Sequence, residues 1–102
     1  MKKIINGKKY DTDTAREMGH WDNGRLYSDF GYMEETLYLK KTGEYFLHGE
    51  GGPATKYADY LCENTTSYGE AIIPLDEDEA KSWAEQRLDC DNYERIFGEV
   101  EE

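Results

Sequence analysis

The sequence contains no long hydrophobic run, and this absence limits where the protein can act. No stretch approaches the ~18 consecutive apolar residues of a transmembrane helix. Residues 1–7 begin with two lysines after the first methionine but lack the apolar core of a secretory signal peptide. We therefore expect a soluble, cytoplasmic protein with no membrane contact.

Cysteine and histidine are almost absent, which argues against several kinds of chemistry. Cys62 and Cys90 have no C-x-x-C partner, so we expect reduced thiols, with a disulfide as the alternative. His20 and His48 lack a metal-ligand spacing with Cys or Asp. The glycine-rich residues 49–52 lack the Lys-Ser/Thr ending of a phosphate loop. We expect no cofactor and no enzymatic activity; a small hydrolase that uses His48 or Cys62 stays as a third alternative.

Positive charge is scarce. The chain has 12 Lys and Arg against 23 Asp and Glu, a formal net charge of −11, and most of the acidic excess lies in its second half. Such a field repels nucleic acids and membrane surfaces and attracts basic proteins. The charge therefore disfavours direct nucleic-acid binding and favours a basic protein partner.

Aromatic residues are abundant, and they indicate a folded chain. They make up 14% of 102 residues, with nine tyrosines, which compensates for a low apolar fraction. Neither an internal repeat nor a Pro/Ser-rich linker divides the sequence. The length is that of one modest core, so we expect a single domain over residues 1–102.

Two hairpins and one edge strand are predicted from strand-forming residues. Asn6-Gly7 provides a tight turn within residues 3–10, and a Gly-containing loop joins residues 35–40 to residues 44–48. Residues 49–53 are expected to break the sheet and to begin a long irregular segment. Residues 71–75 form a strand that we place at an edge, because Pro74 cannot donate to a ladder.

Helices are predicted mainly after residue 75. Asp76 and Glu79 fit a capping box ahead of a buried stripe, and Asp91 is expected to open a second helix that stops before Gly98. Thr14-x-x-Glu17 predicts a third, short helix. The predicted fold class is α+β, a small antiparallel β-sheet (hairpins) with two to three short helices packed on it. The buried stripe consists of Ala80, Trp83, Ala84 and Leu88.

The acidic segment from residue 76 onward is the strongest candidate for a binding site. Helix neighbours three or four positions apart lie ~5–6 Å from each other, so the exposed carboxylates resemble a charged phosphate backbone. The alternative is that they stabilise helix N-termini and keep the protein soluble. The predicted partner-binding carboxylates are Asp76, Glu77, Asp78, Glu85, Asp89, Asp91, Glu94 and Glu99.

Tyrosines in the irregular segment are the second candidate. Tyr57, Tyr60 and Tyr68 lie where amphipathic periodicity is weak, and tyrosine is enriched at protein interfaces. We interpret them as apolar anchors for a partner. The alternative is that they are partly buried rings that close a small core.

Several stretches resemble small acidic proteins of phages and integrative elements of Firmicutes. They are residues 5–15, 35–38, 41–47, 49–52, 73–75, 79–80 and 83–85. In size, acidity and origin these proteins are similar to the anti-CRISPR proteins. The resemblance implies an inhibitor that binds a CRISPR-Cas effector and blocks its nucleic-acid-binding surface by acidic DNA mimicry. The alternatives are an accessory protein of a mobile element, or an inhibitor of a restriction or other DNA-binding defence system, whose acidity serves mainly solubility.

Overall fold

A four-stranded antiparallel sheet forms the centre of the computed structural model, which describes residues 1–62 and 64–102. Two further strand pairs form hairpins, and two helices follow the last strand. The α+β class with antiparallel strands and two helices is therefore confirmed, and the sheet structure is more extensive than expected. The elements are β1 (Lys2–Ile5), β2 (Lys8–Asp11), β3 (Arg16–Asp22), β4 (Met33–Leu39), β5 (Tyr45–Gly51), β6 (Asp59–Cys62), β7 (Thr65–Ser67), β8 (Gly69–Leu75), α1 (Glu77–Arg87) and α2 (Cys90–Phe97).

The hairpin of β4 and β5 is the middle of the four-stranded sheet, whose order is β3-β4-β5-β8. The amide of Lys40 donates to the carbonyl of Glu44 at 2.8 Å, and Gly43 supplies the left-handed residue of the turn at φ 90°. This predicted hairpin is confirmed. The edge position predicted from Pro74 is confirmed as well, because β8 pairs only with β5 among the described strands.

One face of the sheet packs against both helices. Met18, Leu37 and Leu47 from three neighbouring strands meet the stripe of α1, whose Ala80 and Ala84 are fully buried. Three partly buried side chains of α2 complete this cluster, Tyr93, Ile96 and Phe97. The predicted stripe is confirmed, and its burial fixes which side of α1 faces water.

The opposite face packs against the hairpin of β1 and β2. The rings of Tyr10 and Phe46 meet edge to face with centroids 5.5 Å apart, and Ile72 lies beside them. Asn6 at φ 52° and Gly7 at φ 77° form the predicted tight turn. Side chains therefore cover both faces of the sheet around Phe46.

Local capping fixes the helix ends. The Asp76 carboxylate accepts from the Glu79 amide at 2.7 Å, and the Glu79 carboxylate accepts from the Asp76 amide at 3.0 Å, which confirms the capping box. The second helix begins earlier than predicted, because Asp89 rather than Asp91 is its N-cap, and it stops before Gly98 as expected. Within residues 1–62 and 64–102, no helix has the length and apolar composition needed to cross a membrane.

The prediction of a third, short helix at residues 14–17 is wrong. The chain from Arg16 onward is strand β3, with a register shift between Glu17 and Gly19. An isolated helix of one or two turns is marginal in water, whereas a strand here pairs with β4 and buries Met18 under the helices. Gly19 permits this packing, since a Cβ at that position would lie 2.9 Å from a methyl carbon of Leu88.

The predicted sheet break at residues 49–53 is also wrong in part. Strand β5 continues to Gly51, and the irregular segment expected after it contains the hairpin of β6 and β7. Gly49 lies within the strand, paired with Glu35 and Ala71, and the ring of Tyr57 lies directly over it, in space that a Cβ would occupy. Glycine here allows close packing rather than chain reversal.

Candidate partner-binding surface

The eight predicted carboxylates lie on or beside the two helices, and we call them the acidic helical surface. All but Glu94 are exposed. Glu94 is half-buried and accepts from the amide of Val100 at 3.2 Å. The members are Asp76, Glu77, Asp78, Glu85, Asp89, Asp91, Glu94 and Glu99.

The acidic helical surface contains residues with two kinds of environment. Asp76 and Asp89 are N-caps whose carboxylates accept backbone hydrogen bonds. Within the described residues, Asp78, Glu85 and Asp91 make neither a hydrogen bond through the side chain nor an ion pair. The first group therefore has a structural role, while the second is free to bind a partner.

The three basic side chains of the helices do little to neutralise the acidic helical surface. Lys81 pairs with Glu77 at 3.4 Å, one turn away on α1. Arg87 instead approaches the buried carboxylate of Glu35 at 3.7 Å, and Arg95 donates to the carbonyl of Met18 at 2.7 Å. Two of the three basic side chains thus interact with the sheet rather than with surface carboxylates, so the negative charge stays largely uncompensated.

A buried carboxylate, missed in the sequence, holds α1 against the sheet. Glu35 is 1% exposed and accepts from Trp83 Nε1 at 3.0 Å and from the hydroxyl of Tyr57. Lys56 Nζ lies 3.1 Å from the same carboxylate, and the guanidinium of Arg87 stacks on Trp21 at 3.7 Å from the ring centroid. Burial acts to raise the pKa of Glu35, but the hydrogen bonds from Tyr57, Trp83 and Lys56 outweigh it and lower the pKa.

The three predicted tyrosines do not form one surface. Tyr57 is 5% exposed and belongs to the Glu35 network, so it cannot contact a partner in this structure. Tyr60 on β6 is 82% exposed, and Tyr68 is half-buried with its ring 5.0 Å from that of Tyr27. Of the three, Tyr60 alone retains the geometry of an exposed apolar anchor.

Exposed apolar side chains that the sequence analysis missed lie on nearby loops. The loop before β4 carries Leu26 and Phe30, 78% and 72% exposed, and Leu61 follows Tyr60 on β6. The two regions are linked, because the Ala54 amide donates to the Phe30 carbonyl at 2.9 Å and Thr66 donates to the Pro53 carbonyl at 3.0 Å.

A second group of carboxylates crosses the sheet on the face away from the helices. Each of the four strands β3, β4, β5 and β8 contributes one carboxylate, and each carboxylate is the cross-strand partner of the next. We call this group the carboxylate row. His48 Nε2 lies 3.1 Å from Glu70, and His20 Nε2 lies 3.8 Å from Glu34. The sequence contained a signal for this row, because the predicted turn between β4 and β5 fixes the register of the hairpin and that register pairs Glu34 with Glu50. Its members are Asp22, Glu34, Glu50 and Glu70.

The two central carboxyl groups of the carboxylate row have opposite pKa shifts. A hydrogen bond with Glu34, burial, and the charges of Glu34 and Glu70 raise the pKa of Glu50 to about 7. The hydrogen bond with Glu50 lowers the pKa of Glu34, aided by the hydroxyl of Tyr32. Glu50 is therefore the carboxyl group of the pair that takes up a proton first as the pH falls.

Neither acidic group has the geometry of a metal centre. Across residues 1–62 and 64–102, no three His, Cys, Asp or Glu side chains converge as metal ligands.

Comparison with known proteins adds no further constraint. Nothing among protein-family models, curated proteins or solved structures matches this chain.

Proposed function

We propose that this protein is an inhibitor that binds a basic nucleic-acid-binding protein through its acidic helical surface. The observation that supports this proposal is the exposure of these helical carboxylates. The two arginines of the helices interact with the sheet and do not neutralise them. The surface takes the place of nucleic acid on the partner. Inhibition requires no catalytic step, and the protein is not an enzyme.

The rigidity of the helices favours such mimicry. Helix neighbours three or four positions apart are ~5–6 Å from each other, and a DNA duplex carries one charge per ~1.7 Å of its axis. Held in place by the Glu35 network, α1 presents its carboxylates without a large ordering cost on binding. Complementary charge raises the association rate and makes binding sensitive to salt.

The specific partner that we propose is a CRISPR-Cas effector in the cytoplasm of a bacterial host. This step rests on the resemblance to small acidic phage and mobile-element proteins and on the class of anti-CRISPR inhibitors. Tyr60, exposed on β6, supplies an apolar anchor in addition to the charged contacts. Tyr57 is left out of the proposed contact because its ring is buried.

The second candidate is an accessory protein of a mobile element, or an inhibitor of a restriction system, whose acidity serves mainly solubility. The N-capping roles of Asp76 and Asp89 favour it, because they account for part of the acidity by local stabilisation.

A charge-reversal experiment separates the two candidates. Asp78→Lys, Glu85→Lys and Asp91→Lys are combined in one variant, because none of these carboxylates caps a helix or forms an ion pair among the described residues. The matched control reverses three exposed carboxylates outside the helices, Asp13, Glu17 and Asp59, and changes the net charge equally. Capture by a panel of purified Cas effectors and inhibition of DNA cleavage are measured for both variants.

The proposal predicts that the helical variant loses capture and inhibition while the control keeps both. Circular dichroism and urea unfolding establish that both variants are folded. Equal loss in the two variants would mean that net charge alone matters. Full inhibition by the helical variant would contradict the proposal and leave solubility as the role of the acidic helical surface.

A further inference from the structure

A cleft lies between α1, α2 and the segment that follows α2. Its volume is about 480 Å³, within the ~300–1,000 Å³ range of ligand sites. Leu88, Tyr93 and Val100 give it an apolar lining, and the bond from the Val100 amide to Glu94 keeps the following segment beside α2. The cleft is therefore a defined groove rather than a flat acidic patch.

The charged residues around this groove are of one sign. Glu85, Asp89, Glu101 and Glu102 line it and are exposed, and no Lys or Arg of the described chain does so. An apolar lining beside carboxylates complements a side chain with an aliphatic stem and a cationic end. Arginine fits best, because its guanidinium is weakly hydrated, binds carboxylates in a bidentate manner and stacks on aromatic rings such as Tyr93.

Other occupants match the groove less well. The carboxylates do not converge as ligands for a metal ion within the described residues. An anion would be repelled by the rim, and a purely apolar peptide would leave the four carboxylates without a cationic partner. Charge complementarity thus selects a basic side chain.

We propose that this groove is the seat for an arginine side chain of a basic protein partner. The inference rests on the proposed function and deepens it, because it selects one point of the acidic helical surface as the specific contact. The arginine stem packs on Leu88 and Val100 while its guanidinium contacts Glu85 and Glu101. The carboxylates of the first turn of α1 then contribute general attraction.

NMR titration of the full chain with a defined probe tests this site. The probe is acetyl-triarginine amide, and its neutral analogue acetyl-tricitrulline amide is the ligand control. The cleft variant combines Glu85→Gln with Glu101→Gln. The matched control combines Glu77→Gln with Asp78→Asn, which removes two charges from α1 outside the groove.

The expected result is a saturable shift of the backbone amides of Leu88, Cys90, Tyr93 and Val100 with the arginine peptide and none with the citrulline peptide. Loss of two exposed ion pairs in the cleft variant weakens binding about fivefold, and the control changes it less than about twofold. Equal weakening in both variants, or shifts centred on residues 76–79, would overturn the inference.

These experiments distinguish failure of the arginine site from failure of the proposed function. If arginine peptides occupy the groove but no effector is captured, the arginine site stands and the proposed function fails. If an effector is captured while the groove amides do not respond to it or to the peptide, the function stands and this site is wrong.

Discussion

Replacement of Glu35 by leucine should destabilise the protein by about 3 kcal/mol. Leucine has no acceptor, so the Trp83 indole N–H and the Tyr57 hydroxyl lose their partner inside the protein, at ~1–3 kcal/mol for each orphaned group. Burial of the added apolar surface returns ~1–2 kcal/mol. Lys56 and Arg87 add little, because their side chains are 57% and 29% exposed and water can replace the carboxylate.

Urea unfolding followed by tryptophan fluorescence measures this loss, since Trp83 and Trp21 both adjoin the network. Glu85→Leu is the control on the exposed side of α1 and should stay within ~0.5 kcal/mol of the unchanged protein. Glu35→Gln, which keeps one acceptor, should fall between the two. A Glu35→Leu loss no larger than that of Glu85→Leu would refute the idea that the buried carboxylate anchors α1.

The same network gives a pH signature with a defined sign. The pKa of Glu35 is lowered from 4.5 in the folded protein, so its contribution is present above pH 4.5 and is lost as the pH falls through the folded pKa. Acidification should therefore destabilise the unchanged protein more than Glu35→Leu. If the free energy of unfolding has the same pH dependence in the two proteins, the lowered pKa of Glu35 is contradicted.

Three further predictions concern other sites. Because the pKa of Glu50 is raised to about 7, its contribution to stability is lost as the pH rises from 4.5 through 7. Glu50→Gln should thus be more stable than the unchanged protein at pH 8, by ~1–2 kcal/mol after allowance for solvent screening; equal urea midpoints at pH 8 would contradict it. Gly49→Ala should cost ~1–3 kcal/mol by overpacking against the Tyr57 ring, and urea unfolding should find a smaller cost in a Tyr57→Leu background. Tyr60→Ala should leave stability within ~0.5 kcal/mol while weakening partner capture about tenfold; unchanged capture would remove Tyr60 from the contact.

Local signals predicted much of the fold. The turn at Asn6-Gly7, the hairpin around Gly43 and the capping box of α1 each depend on residues close in sequence, and each is found in the structure. Strand β3 was missed because its conformation depends on pairing with β4 and on burial of Met18, which no local pattern contains.

Only part of the candidate site could be predicted, because several of its features depend on contacts between residues distant in sequence. Exposure of the helical carboxylates followed from the buried stripe of α1. The inward direction of Arg87 and the burial of Tyr57 depend on Glu35, a residue distant in sequence whose charge suggests a surface position. Pairing of Glu34 with Glu50 required the register of β4 and β5.

Competition between this protein and target DNA for one Cas effector tests the central claim most directly. The effector is chosen by capture, and its affinity for the protein is measured at several DNA and salt concentrations. We predict that DNA and protein exclude each other and that affinity falls steeply with salt, with the slope reduced in the Asp78, Glu85 and Asp91 reversal variant. Simultaneous binding of DNA and protein, or affinity independent of salt, would contradict the account of the acidic helical surface as a substitute for nucleic acid.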